Sequence, residues 1–225
     1  MHQPGIFSGT APFVIGITGG TGAGKTTVSK ALYQHVGEER AVLLHADHYY
    51  HDLSHLPASS RQKVNFDHPR AWDVPLLLTH LQALARGESI QPPGYEFRTH
   101  SRQESGRLLS SKPLVIVEGV GVFCHSDVRQ QLSCLVFLDV ADDVRFIRRL
   151  QRDLQERGRT VKSVVEQYLM TVKPMHQAFT EPMRIHADVI VSGELPTHLA
   201  VESIEQYVWA QMGVRQEEPV RWKSF

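Results

Sequence analysis

Gly19-Gly20-Thr21-Gly22-Ala23-Gly24-Lys25-Thr26 fits the pattern G-x-x-x-x-G-K-[ST] in full. It follows the apolar run Phe13-Val14-Ile15-Gly16-Ile17 and opens a helical pattern from Thr26 to Val36. A glycine-rich turn between a strand and a helix lets backbone N–H groups curl around phosphate oxygens. The helix N-terminus adds a partial positive charge. In this pattern the lysine, Lys25, reaches the β- and γ-phosphates and the hydroxyl of Thr26 ligates Mg²⁺. The stretch therefore predicts a nucleoside triphosphate cradle.

Four more apolar runs read as strands: Ala41 to Leu44, Leu114 to Val117, Leu135 to Leu138 and Asp188 to Val191. They are nearly continuous rather than alternating, as expected of strands covered on both faces of a parallel sheet. Helical patterns lie between them, over Val74 to Arg86, Asp127 to Leu132, Asp142 to Glu156, Val161 to Phe179 and Thr197 to Met212. Alternating strands and helices predict an α/β fold, a parallel sheet flanked by helices. Pro174 should kink or break the helix starting at Val161. The long polar stretch from Asp47 to Asp73 has no clear period, and Gln91 to Ser110 reads as a projecting β-hairpin. One domain is expected over residues 1–225, with an N-terminal extension (1–12), the hairpin insertion (91–110), a lid (142–160) and a C-terminal tail (213–225).

Composition narrows the function classes. The 225 residues carry 24 Lys plus Arg against 24 Asp plus Glu, so no global basic excess points to nucleic acid or a membrane surface. Any anion must be met by a local cluster. Cys124 and Cys134 are too few for a disulfide framework and sit in apolar stretches as reduced thiols. The opening Met1-His2-Gln3-Pro4-Gly5 lacks a signal-peptide pattern, and Pro113 to Cys124 is too short to span a bilayer. A cytoplasmic protein is expected.

The chemistry done on the triphosphate is read from residues farther out. The lone asparagine, Asn65, is followed by Phe66, so no Asn-Lys-x-Asp guanine motif exists. Glu118 ends the strand Leu114 to Val117, where a single carboxylate can hold Mg²⁺ or its waters. Asp47 follows the second strand, at the end where open α/β sheets place their ligands, and could accept a proton from an attacking hydroxyl. Arg145, Arg148, Arg149 and Arg152 fall at i, i+3, i+4 and i+7, on one helical face, beside a separate apolar stripe of Phe146, Leu150 and Leu154. This basic face, followed by Arg157-Gly158-Arg159, suits a lid that closes on polyphosphate. His45, His48, His51 and His55 recur at spacings of three and four, but they straddle a strand and a loop, so no shared helical face makes them a metal cluster.

With these residues quoted, the chain resembles the uridine kinase (uridine-cytidine kinase) family of P-loop kinases over roughly Phe13 to Val191. The motifs that carry the resemblance begin with the loop extended to Thr27, then Asp47-His48-Tyr49-Tyr50 and Asn65-Phe66-Asp67-His68-Pro69. The hairpin stretch Tyr95 to Arg102 follows, then Glu118-Gly119, Arg148-Arg149, Arg152-Asp153 and Glu156 to Arg159. The resemblance implies transfer of the γ-phosphate of ATP or GTP, with Mg²⁺, to the 5′-hydroxyl of uridine or cytidine, by a homotetramer. It implies Asp47 as catalytic base near the metal, beside Thr26 and Glu118, whose metal roles are read from the loop pattern and the strand end. It implies Asp67, Arg149 and Gln167 at the ribose; Tyr95 and His100 at the base, with Tyr50, Phe66 and Phe97 nearby; Arg159 on the substrate side; and Arg152 and Arg157 on phosphate.

Two departures stand out. Where the family has a Pro-Arg-Gly-Gly-like turn beside the donor base, this chain reads Ser192-Gly193-Glu194-Leu195-Pro196. After Glu118-Gly119 it reads Val120-Gly121-Val122-Phe123, less bulky than the usual Ile-Leu. Two other readings remain open from the residues: a P-loop kinase with a sugar-phosphate acceptor, phosphoribulokinase-like, and a nucleotide-dependent sensor without turnover.

Overall fold

The computed structural model describes residues 11–61, 64–103 and 106–211. Its centre is a parallel sheet of five strands: β1 (Phe13–Thr18), β2 (Ala41–His45), β5 (Leu114–Glu118), β6 (Cys134–Asp139) and β7 (Val189–Ser192), in the order β2-β5-β1-β6-β7. The remaining two, β3 (Gly94–Glu96) and β4 (Ser101–Gln103), form an antiparallel hairpin. The continuous apolar runs have a simple cause. Alternate residues of the inner strands β5 and β1 feed two separate cores, so neither face can be polar there, while edge strand β7 serves one core and exposes Ile190. Val14, Val115 and Val117 enter one core; Ile15, Ile17, Leu114 and Ile116 enter the other.

Helices α1 (Lys25–Val36) and α5 (Thr197–Gln211) cover the second core with Val28, Leu32, Ala200, Val201 and Ile204. Helix α2 (Val74–Ala85) covers the first with Leu77, Leu81 and Leu84, joined by Phe123 and Val128. Apart from Ala200, each of these buried side chains contributes roughly 1.5–3 kcal/mol relative to exposure. Pro75 stands in the first turn of α2, where its missing N–H costs nothing, and Asp73 caps the helix by accepting from the Leu76 N–H at 3.2 Å. The other oxygen of Asp73 accepts from the Arg102 guanidinium at 3.2 Å, and Arg102 also donates to the Tyr50 carbonyl at 2.8 Å. One capping carboxylate therefore ties the hairpin to the start of helix α2.

The long polar stretch holds more order than its composition suggests. It contains 3₁₀ turns at Ala46–Tyr49 and Pro69–Ala71, a one-turn helix at Ala58–Arg61 and a bridge between Tyr50 and Trp72. The expected helix from Asp127 shortens to Ser126–Arg129. Helices α3 (Asp142–Gln155) and α4 (Val161–Gln167) come next. Pro174 does not break the helical path after Val161. The chain widens into a π turn at Tyr168–Val172, passes Pro174 in one α turn and widens again at His176–Thr180. A π turn shifts the hydrogen-bond register by one residue, which absorbs the missing N–H and gives the ring room.

Cys124 and Cys134 are free thiols, both raised above the ordinary range by burial, to about 11 and about 12. Among the described residues no helix is long and apolar enough to cross a membrane. The N-terminal extension, apart from its last two residues, and the C-terminal tail lie outside the described residues.

Candidate active site

Strands β2, β5 and β1 are neighbours and parallel, so their carboxyl ends emerge side by side. His45 pairs with Glu118, and Ile17 pairs with Glu118 on the other side. This brings three sequence-distant features together: the loop after β1, Asp47 after β2 and Glu118 at the end of β5. Gly24 caps α1 at φ 91°, a left-handed conformation that a side chain would strain. The Lys25 ammonium donates to the carbonyls of Gly19 and Gly20, both at 3.0 Å. Burial lowers Lys25 to about 8, against the opposing pull of Glu118 and Asp47.

The Thr26 hydroxyl donates to Glu118 Oε1 at 3.1 Å, and His45 Nδ1–H donates to the same oxygen at 2.7 Å. Burial alone would raise Glu118, but the His45 hydrogen bond and Lys25 hold it below the usual carboxylate value. Asp47 is shifted the other way, to about 6, by burial and by the nearby charge of Glu118. Its Oδ1 is buried with no hydrogen-bond partner. An orphaned carboxylate oxygen beside a second carboxylate and a threonine hydroxyl is a hard, oxygen-only donor set, and it fits a divalent cation such as Mg²⁺. Among the described residues no three His, Cys, Asp or Glu side chains converge as a self-sufficient metal site. Mg²⁺ commonly takes one or two carboxylates and fills its other positions with phosphate oxygens and water. The histidines spaced through 45–55 part company: His45 faces Glu118, His48 lies 5.2 Å from its ring, and His51 and His55 are exposed.

The hairpin carries an aromatic slot to the same cleft. Tyr50, Phe66 and Tyr95 meet edge to face, with the Tyr50 ring 5.1 Å from Phe66 and 5.3 Å from Tyr95. Phe97 lies 5.2 Å from Tyr95, and the His100 ring stacks flat on Phe66 at 4.5 Å and 12°. His100 adopts φ 49°, an uncommon conformation for a non-glycine residue, and its Nδ1 is buried without a partner. Burial, helped by Arg157 and Arg159, lowers its pKa, so the imidazole is neutral at pH 7. The Arg157 guanidinium sits over the Phe97 ring at 5.1 Å, linking hairpin and arginine cluster.

Helix α3 reverses the expected amphipathic arrangement. Arg145, Arg149 and Asp153 are its buried residues, while Phe146, Leu150 and Leu154 are only half-buried. The four arginines do not form one solvated basic face. Arg145 packs beneath the phosphate loop, away from the cleft; Arg148 donates to the Gly193 carbonyl at 2.9 Å; and Arg149 donates to Thr21 at 3.0 Å and to Gln167 at 2.8 Å. Gln167 Oε1 also accepts from Arg159. Asp153, fully buried, is the hub, with Arg149, Arg152, Arg157 and Arg159 at 3.6, 2.9, 3.7 and 3.5 Å. A pair built this way stabilises little net of desolvation, yet removing one partner leaves the others uncompensated. Asp153→Asn is therefore expected to destabilise the fold by about 3 kcal/mol. A thermal melt checks this: at this chain size it corresponds to a fall of roughly 6–12 °C.

One cleft of about 1320 Å³ gathers most of these groups. Thr21, Gly22, Gly24, Lys25, Thr26 and Thr27 line it, with Asp47 and Glu118. So do Tyr50, Phe66, Asp67, Tyr95, Phe97 and His100, and Arg149, Arg152, Arg157, Arg159 and Gln167. Gly19, Gly20 and Ala23 belong to the loop but do not face the cleft; Ala23 is fully buried below it. Sequence reasoning gives no positioning role to two residues that hold others in place. His45 was read only within a histidine run, because nothing local shows that β2 and β5 are neighbours. Asp153, quoted within the Arg152-Asp153 motif, carries a signal for its role: an acid at i+4 from Arg149 on a basic helix face.

Residues 14–200 match the model of the phosphoribulokinase / uridine kinase family. A uridine kinase of Chloroflexus aurantiacus is 45% identical over 195 residues, 87% of this chain and 93% of that protein. A uridine kinase of Clostridium perfringens is 47% identical over 180 residues, 80% and 86% of the two chains. The fold also resembles that of phosphoribulokinase from Rhodobacter spheroides, with a TM-score of 0.61 at 14% identity over 84% of this chain and 75% of that one. D-glycerate 3-kinase from Cryptococcus neoformans shares it with a TM-score of 0.53 at 19% identity, over 76% and 80%. With the phosphate loop, the strand-end carboxylates and the arginine cluster joined in one cleft, the chain belongs to the phosphoribulokinase / uridine kinase family.

Proposed function

We propose that this protein is an ATP- or GTP-dependent uridine/cytidine kinase that phosphorylates the nucleoside 5′-hydroxyl. The observation that carries the reading is an aromatic slot opening on the same cleft as the phosphate loop. A phosphorylated sugar gives such a slot nothing to stack on, whereas a pyrimidine does. The nearest alternative acceptor, a sugar phosphate, is thereby disfavoured. In the proposed mechanism Asp67, Arg149 and Gln167 hold the ribose, and Asp47 takes the 5′-hydroxyl proton as that oxygen bonds to the γ-phosphorus. The bond from phosphorus to the β–γ bridging oxygen breaks, and the nucleoside diphosphate leaves. Lys25, Arg152, Arg157 and Arg159 neutralise the charge on the transferring group. Thr26, Asp47 and Glu118 would hold Mg²⁺, which neutralises charge on the phosphates when bound. The same reading makes residues 1–225 one kinase domain, working in the cytoplasm where its free thiols stay reduced, and as a homotetramer.

A coupled ADP-release assay across uridine, cytidine, purine nucleosides and ribulose 5-phosphate tests the acceptor. Turnover confined to the pyrimidine nucleosides is expected; turnover confined to the sugar phosphate would overturn the assignment.

His100 is expected to let one site accept both bases. Uracil and cytosine reverse donor and acceptor at position 4 and at N3. A neutral imidazole presents one of each, and its tautomer can follow the ligand. His100→Ala and His100→Tyr are each expected to change the uridine-to-cytidine ratio of kcat/KM. An unpaired buried polar group costs about 1–3 kcal/mol, so the change is roughly five- to a hundred-fold. A wild-type ratio in both variants would show that His100 does not read the base.

A further inference from the structure

Arg145 lies outside the cleft, makes no contact the mechanism uses, and is among the most deeply buried side chains, at 2% exposure. Its place is set by three anchors. Nε donates to the Val140 carbonyl at 3.1 Å, Nη2 donates to Asp142, and the residue's own backbone backs onto Gly22. Nη1 is buried with no hydrogen-bond partner. A charged nitrogen left unpaired inside a protein is costly, so its retention asks for a reason.

The glycines supply one. The phosphate-loop pattern requires glycine only at Gly19 and Gly24; Gly20 and Gly22 occupy its free positions. A Cβ on Gly20 would sit 2.1 Å from Arg145 Nη1, 2.6 Å from Cζ and 2.9 Å from Nε. A Cβ on Gly22 would sit 2.2 Å from the Arg145 carbonyl oxygen. The loop and the arginine are thus shaped to each other, with the guanidinium lying as a flat plate under Gly20. The plate cannot swing away cheaply, because Val140 and Asp142 hold two of its nitrogens.

We propose that Arg145 is a positioning residue for the triphosphate: it fixes the loop's backbone from behind and adds a buried positive charge on the side opposite the phosphates. Its guanidinium acts through Gly20, while Gly22 meets only the backbone that any residue at position 145 would present; Arg145 touches neither substrate. This deepens the kinase reading and rests on it, since the loop must be the donor's cradle.

Gly20 lies outside the left-handed backbone region, so alanine there is opposed by the guanidinium and not by the backbone. Three variants test the idea: Arg145→Met, Gly20→Ala and the pair. MgATP and uridine are titrated separately by calorimetry, and each variant is melted. Each single change is expected to weaken MgATP by about ten-fold or more, as loss of loop geometry should. Uridine affinity without donor should stay within about two-fold, since that site lies across the cleft. The double variant should bind MgATP no more weakly than the worse single, because the methyl introduced by Gly20→Ala takes space the plate has vacated. Unchanged MgATP affinity in either single variant would overturn the proposal. So would equal loss for MgATP and uridine, which marks general damage, or fully additive losses. If Arg145→Met does not fold, Gly20→Ala and Arg145→Lys carry the same comparison. Wild-type protein that binds MgATP but no uridine would overturn the acceptor reading and leave this one intact; failure to bind MgATP would overturn both.

Discussion

Lys25→Ala is expected to abolish phosphoryl transfer, lowering kcat by about 10³-fold or more, while the protein stays folded. The ammonium is buried and held against the Gly19 and Gly20 carbonyls at 3.0 Å, so its position is preset before any phosphate arrives. Preset charge needs no reorganisation at the moment of reaction, which makes it strong in a site shielded from water. Burial lowers its pKa only to about 8, because Glu118 and Asp47 oppose the shift, so it remains mainly cationic at pH 7. The fold should survive, since the loss is two hydrogen bonds to backbone carbonyls from a side chain that itself lines the cleft, about 1–3 kcal/mol. Circular dichroism and a melt establish folding, and a coupled ADP assay measures turnover. Wild-type-like turnover from folded Lys25→Ala would sink the P-loop kinase mechanism.

Asp47→Asn is expected to lower kcat by about 10²- to 10⁴-fold with nucleoside affinity retained, the usual contribution of a positioned general base. Asparagine keeps the shape and one acceptor but cannot take a proton. Asp47 can act as a base only when ionised. Burial and Glu118 raise it to about 6, so as pH falls through that value the base is lost and kcat/KM should fall with it. A bound divalent cation favours the ionised form and moves that limb to lower pH. The measurement is kcat/KM between pH 5 and 8 for wild type and Asp47→Asn. A kcat within a few-fold of wild type in Asp47→Asn would make Asp47 structural and assign the proton to another group.

The parts legible in the sequence are those whose physics is local. A glycine-rich turn between a strand and a helix carries its own phosphate geometry, so Gly19 to Thr26 could be read without knowing what surrounds it. Continuous apolar runs imply strands covered on both faces, and the alternate distribution of Val115 and Ile116 to opposite cores bears this out. Tyr50, Phe66 and Asp67, and Tyr95, Phe97 and His100 of the hairpin, rest on the family resemblance, since no period or spacing marks them, whereas Asp47 is marked by its place at a strand end.

Tertiary structure decided everything that depends on which elements are neighbours. Strand order β2-β5-β1 is invisible in the chain, yet it alone sets His45 against Glu118 and Glu118 against Thr26. The helix of Asp142 to Gln155 shows the same limit. Its spacing shares arginines out along one face, but only packing determines that Arg149 turns to Thr21 and Gln167, that Asp153 gathers four guanidinium groups, and that Arg145 slides beneath Gly20. Pro174 passes without a break because neighbouring π turns accommodate it, and the one after it buries His176 and Thr180 in the interior. Local stereochemistry wrote the loop and the strands. Desolvation and close approach between residues far apart in the chain, 73 positions for His45 and Glu118 and 128 for Thr21 and Arg149, wrote the site.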